Sequence, residues 1–131
     1  MKKIYLWFLT FSWAAYTFYL TTIPNFSPSP DTFLNWILSN GGHFFFFGIL
    51  AVFLKLSISP ISDLRSTISA ITITSFYGYV IELIQRGIPG RSYDLKDWAL
   101  DTLGAIAFLA IISWYEHPRD WRSWLHRSDH R

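Results

Sequence analysis

Residues 81–104 read IELIQRGIPGRSYDLKDWALDTLG and place Glu82, Arg86, Arg91, Asp94, Lys96, Asp97 and Asp101 between two strongly apolar runs. Pro89 and Gly90 stand at the centre of this stretch. Proline removes a backbone donor and glycine closes helix C-termini, so the stretch predicts the end of one helix, a tight turn and the start of the next. The flanking runs, about 66–86 and about 95–115, are close to the roughly 20 residues that cross a bilayer. Working outward, residues 41–58 are interrupted only by His43 and Lys55, and residues 4–22 carry no charge. These are two more candidate spans.

Composition agrees. The chain has 131 residues, 51% of them hydrophobic, 20% aromatic and only 15% charged, with a mean hydropathy of +0.25. Backbone groups in lipid must be satisfied within the segment, and the period-2 alternation of a barrel is absent, so helices are the reading. The expectation is an all-α polytopic membrane protein, one domain formed by a four-transmembrane-helix bundle. The absence of cysteine excludes disulfides, thiolate metal sites and cysteine nucleophiles. A net charge of +2 from scattered basic residues gives no basic face for nucleic acid. The first run is longer than a signal-peptide core of roughly 7–15 residues and no A-x-A site follows it, so it is read as a retained membrane helix.

The links carry further expectations. Pro24, Pro28 and Pro30 break any helix after the first run, and Phe33, Leu34, Trp36, Ile37 and Leu38 are placed along the membrane surface. Residues 58–65 form a short connection through Pro60, and 116–131 a basic interfacial tail with Trp121 and Trp124. With the N-terminus in the cytoplasm, the inner segments hold Lys2, Lys3, Lys55, Arg65, Arg119, Arg122, Arg127 and Arg131, against Arg86, Arg91 and Lys96 outside. The positive-inside bias therefore puts both termini in the cytoplasm. That topology brings His43, Glu82 and Asp97 to one extracytoplasmic face.

Residues three or four apart share a helix face, so Glu82 pairs with Gln85 and Asp97 with Asp101, while Gly104 lets a neighbouring helix approach closely. A charge at membrane depth costs roughly 2.5–3.5 kcal/mol and faces the bundle interior. The expected polar cluster comprises His43, Glu82, Gln85, Arg91, Asp94, Asp97 and Asp101, with Arg91 bridging carboxylates from two helices. Within it His43, Glu82, Arg91 and Asp97 are the catalytic candidates: an imidazole acid or base, a guanidinium for phosphate or carboxylate, and two carboxylates to orient them or take a proton. Each also has a structural reading. The cluster serves equally as an ion-pair network that pins the outer turn, with Asp101 a neutral acid and His43 a donor between helices. Phe44 to Phe47 are packing residues, Lys55 is read as snorkelling to headgroups, and the tryptophans as interfacial belts. A metal held by His43, Glu82 and Asp97 is the least favoured alternative, since these residues lie on different helices and no ligand-spacing motif supports it, and no cofactor is expected.

Glu82, Gln85, Pro89, Gly90, Arg91, Asp97 and Gly104, preceded by His43-Phe44 at an earlier helix, resemble the VanZ-like family over roughly residues 36–110. These are small integral membrane proteins, often bacterial, named for a teicoplanin-resistance protein. The resemblance implies a four-helix layout. The chain departs from the family pattern at Ser39 and Asn40, where Asp-Lys is usual, at Phe47 in place of Tyr, and at Asp101 in place of Asn. Losing the lysine and gaining a carboxylate weakens any shared anion-binding role.

Together these features lead to a protein of the bacterial inner membrane, in contact with lipids, that serves as an accessory or stabilising subunit beside a membrane-protein partner. The high aromatic content, short chain and Trp-rich tail favour that non-enzymatic role. The alternative is an enzyme or binding protein acting on a lipid-linked or cell-envelope intermediate. A transporter is disfavoured because the chain has neither a broken central helix nor an inverted repeat.

Overall fold

Four helices follow one another: α1 (Lys2–Thr22), α2 (Thr32–Ile58), α3 (Leu64–Gln85) and α4 (Leu95–Ser128). The computed structural model describes the backbone of residues 2–58 and 63–128, with side chains over 3–58 and 63–115, and among these there is no strand. Pro60 and the side chains of Trp121 and Trp124 lie outside the described residues.

Two boundaries differ from the expectation. The second helix begins at Thr32 rather than near Gly41, because Asp31, directly after the last proline, caps it: its Oδ1 accepts from the Leu34 amide at 2.7 Å and its carbonyl from the Asn35 amide at 2.8 Å. Phe33, Leu34, Trp36, Ile37 and Leu38 therefore project from a helix, all of them exposed, instead of forming a separate surface segment. The fourth helix starts at Leu95 as expected, but its backbone continues through Ser128. Asp63 caps α3 by accepting from the Arg65 and Ser66 amides. Asp94 caps α4 in the same way, accepting from the Lys96 amide at 2.9 Å.

The helices run up and down beside one another. Trp13 Nε1 donates to the Phe46 carbonyl, Tyr77 Oη to the Ala14 carbonyl, and Trp98 Nε1 to the Ser75 carbonyl, tying α1 to α2 and α3, and α3 to α4. The loop after α1 meets the Pro-Gly turn, where the Asn25 amide donates to the Pro89 carbonyl at 3.0 Å. Gly90 has φ +75°, and a Cβ there would lie 2.1 Å from Asn25 Oδ1, so the turn admits only glycine.

The bundle is inside-out relative to a water-soluble one. Ten described polar or charged residues are buried against eight hydrophobic ones, while Phe8, Phe33, Phe76, Ile111 and Trp114 stand at least half exposed. Lipid is the solvent that makes this arrangement stable. α2, α3 and the Leu95–Tyr115 part of α4 are long and apolar enough to cross a membrane, which fits an integral membrane protein. α1 is long enough at 21 residues, about 31 Å. Its Tyr, Thr and Trp content keeps it outside that apolar set.

Small residues set the helix separations. Gly104 packs on the α2 backbone, where a Cβ would sit 2.1 Å from the Phe44 carbonyl oxygen. Backbone cannot swing aside as a side chain can, so Gly104→Ala is expected to lower the thermal midpoint in detergent by the equivalent of about 1–3 kcal/mol. Thermal unfolding followed by circular dichroism checks this.

Lys55 corrects the snorkelling expectation. It is 1% exposed, and its Nζ donates to the Asp63 carbonyl at 2.9 Å and to Ser66 Oγ. The start of α3 therefore receives this side chain, which ties α2 to the α3 cap.

Candidate functional site

His43 sits on α2 under the Phe47 ring, 6.2 Å away and nearly parallel, with only 6% of its surface exposed. Its Nδ1 lies 2.9 Å from Asp101 Oδ1, a polar contact between α2 and α4. A carboxylate partner there selects the tautomer with its proton on Nδ1 and leaves Nε2 as the free lone pair. Nε2 lies 3.7 Å from Asp97 Oδ2, beyond hydrogen-bond length. One turn of α4 thus presents both carboxylates to the two edges of a single imidazole.

Glu82 enters from α3 and is fully buried. Its Oε2 accepts from the Asp94 amide at 2.9 Å, and its Oε1 has no hydrogen-bond partner among the described residues. Asp101 Oδ2 is likewise buried without a partner. One His43 nitrogen and one oxygen each of Glu82 and Asp97 lie within 4.8 Å of one another. His43 of α2, Glu82 of α3 and Asp97 of α4 thus come together from three helices.

Three members of the expected cluster have other partners. Among the described residues Arg91 bridges no carboxylate within ion-pair distance; its Nε and Nη2 donate to the Ile23 and Leu20 carbonyls at 3.1 and 3.0 Å. The free carbonyls at the C-terminus of α1 outcompete the carboxylates as the nearest acceptors. Burial pulls the guanidinium below its usual pKa range, while Asp97 and then Glu82 push it back up. Arginine stays charged under such shifts. Asp94 gives the site its backbone amide, its carboxylate being spent on the α4 cap. Gln85 is buried and donates to the Thr21 carbonyl at 2.7 Å, fixing α3 to the end of α1.

Gly78 is a residue that the sequence reading passed over. A Cβ at that position would lie 2.6 Å from Asp101 Oδ2 and 3.2 Å from the Phe47 ring. Its signal was its place one turn before Glu82 on the same helix face.

Beside the cluster, a cavity of about 330 Å³ opens between α1, the loop after it and α2. Tyr16, Phe26 and Phe46 supply aromatic walls, and Ser39, His43 and Arg91 polar ones. Arg91 also lies over the Phe26 ring at 5.3 Å. A second, shallower groove of about 510 Å³ between α3 and α4 is apolar. Its Ser75 and Thr102 hydroxyls, 2.8 Å apart, are bonded to each other.

A sequence model of the VanZ/LLP1 family matches residues 3–116. The chain belongs to the VanZ/LLP1 family. No curated protein and no solved structure matches it. The VanZ/LLP1 match takes in α1, which the motif resemblance over 36–110 did not reach. The departures from the VanZ-like pattern fall around the site. Asp101 bonds His43, Phe47 stacks on it, and Ser39 lines the cavity. Asn40 Nδ2 donates to the Trp36 carbonyl at 2.8 Å, along its own helix.

Proposed function

We propose that this VanZ/LLP1 chain binds the anionic headgroup of a lipid-linked ligand in the cavity between α1 and α2. The observation that carries this reading is that Arg91 and His43 line the same cavity, whose other walls include the rings of Tyr16, Phe26 and Phe46 beside Leu20 and Leu38. Aromatic rings suit an isoprenoid or acyl chain, and a forked guanidinium suits a phosphate or carboxylate. Ser39 and Asn40 stand where the family pattern has an acid and a lysine, so these two departures cancel in charge, and the reading rests on Arg91 as the cation that lines the cavity. In this reading α1 crosses the membrane as a fourth span and both termini are cytoplasmic, following the basic-residue bias. The cavity then opens to the extracytoplasmic face of the bacterial inner membrane. A reporter inserted in the 87–96 turn that reads cytoplasmic overturns that orientation.

Binding of a short-chain polyprenyl phosphate to the detergent-solubilised protein, compared with the corresponding alcohol, tests the ligand class. The phosphate is expected to bind at least tenfold more tightly, the value of one charge-assisted hydrogen bond of about 1.5–3 kcal/mol. Arg91→Ala is expected to abolish that preference and Arg91→Lys to retain part of it. Equal affinity for alcohol and phosphate in the wild type sinks the reading.

A second reading, the accessory subunit, draws on α1. Ile4, Tyr5, Phe8, Phe11 and Tyr19 are each between 64% and 70% exposed and follow one helical stripe. Because α1 lies outside the set of helices apolar enough to cross a membrane, a neighbouring membrane protein suits that stripe better than bare lipid does. Stoichiometric co-purification in mild detergent, lost on Phe8→Ala with Phe11→Ala, supports this role. A chain that runs alone counts against it.

A further inference from the structure

Three carboxylates and one imidazole meet in the bundle interior, and among the described residues no lysine or arginine lies within ion-pair distance of them. Buried carboxylates are retained where a proton, a basic partner or a metal ion compensates them. The nearest guanidinium, Arg91, is bonded to α1 carbonyls. His43, Glu82 and Asp97 each bring one ligand-capable atom to within 4.8 Å of the other two. Ligands of one tetrahedral ion at bond lengths of about 2.1 Å sit roughly 3.4 Å apart, and His43 Nε2 and Asp97 Oδ2 are at 3.7 Å.

The surroundings match those of metal ligands. The other ring nitrogen of His43 is held by Asp101 Oδ1, the carboxylate–histidine pairing that fixes ring orientation and makes the free nitrogen more basic. Glu82 is held through Oε2 by the Asp94 amide, while its buried Oε1 has no partner. A fully buried carboxylate oxygen without a donor among the described residues, in a cluster that already holds a histidine and a second acid, is placed to accept a cation.

We propose that His43, Glu82 and Asp97 form a divalent-metal site of the Zn²⁺ class, with Asp101 as its positioning residue. One imidazole with two carboxylates favours a borderline dication over Mg²⁺ or Ca²⁺, which take all-oxygen shells. The site shares His43 with the cavity of the lipid reading, but its test uses metal alone, so the two stand or fall separately.

The test uses the full chain without an affinity tag, stripped with chelator in mild detergent and titrated calorimetrically with ZnCl₂ and, separately, MgCl₂. One Zn²⁺ per chain is expected, with no comparable Mg²⁺ binding. Glu82→Gln and Asp97→Asn, both near-isosteric, are expected to weaken Zn²⁺ binding at least tenfold. His43→Gln is expected to abolish the site, and Asp101→Asn to weaken it about tenfold at unchanged stoichiometry. The tail histidines His117, His126 and His130 persist in every variant, so a loss in these variants reports the cluster. Absence of stoichiometric Zn²⁺ in the wild type overturns the proposal. So does Zn²⁺ binding unchanged in Glu82→Gln and Asp97→Asn chains of wild-type helicity, and Mg²⁺ binding as tight as Zn²⁺ overturns the assigned class.

Discussion

Lys55→Ala is expected to destabilise the bundle in detergent by about 3–5 kcal/mol, and Lys55→Met by only about 1–3 kcal/mol. The alanine variant removes a fully packed side chain, leaves a cavity between α2 and α3, and strips the Asp63 carbonyl and Ser66 hydroxyl of a donor. Methionine restores most of the volume and loses the donor together with the charge that faces Asp63. The difference between the two separates packing from hydrogen bonding, and thermal unfolding monitored by circular dichroism measures both. A snorkelling lysine predicts the opposite, since neither change would then move the midpoint by more than about 0.5 kcal/mol. The prediction discriminates because Lys55 lies at the far end of the bundle from His43, so its effect on stability leaves the cluster assayable.

Which parts of this architecture were legible in the sequence follows from the range of the interactions involved. The Pro89-Gly90 turn, the flanking helices and the convergence of His43, Glu82 and Asp97 are consequences of hydropathy and chain direction, and both are written locally. The start of α2 was missed because three prolines outweighed Asp31, although a capping acid immediately after the last proline signals a helix start as clearly as a proline signals an end. The partner of Arg91 was not legible. Sequence supplies the guanidinium and nearby acids, but the competing acceptors are backbone carbonyls at the end of α1, which carry no residue-type signature. Asp94 shows the same blindness in reverse, since its amide serves Glu82 and its carboxylate serves its own helix. Lys55 was misread because burial of a lysine depends on what the next helix start offers, here Ser66 and the Asp63 carbonyl.

Asp101→Ala is expected to cost about 3–5 kcal/mol in chelator-treated protein, because it leaves the buried His43 Nδ1–H without an acceptor and empties a site that is 0% exposed. Asp101→Asn is expected to cost less than about 1 kcal/mol. The asparagine carbonyl takes the place of Oδ1 opposite Nδ1, and its amide nitrogen falls where Oδ2 already has no partner. Thermal midpoints of the two variants, with helicity as the folding control, decide between two accounts of this residue. If the asparagine variant falls as far as the alanine one, the negative charge itself holds α2 to α4. If it stays near the wild type, the fold requires only an acceptor at this position, as an asparagine in the family pattern would supply. The charge that this chain carries at Asp101 is then available to act on the imidazole. Gly78 fits the second account, since a glycine that keeps a Cβ 2.6 Å clear of Oδ2 makes room for the shape of the group whether it is an acid or an amide.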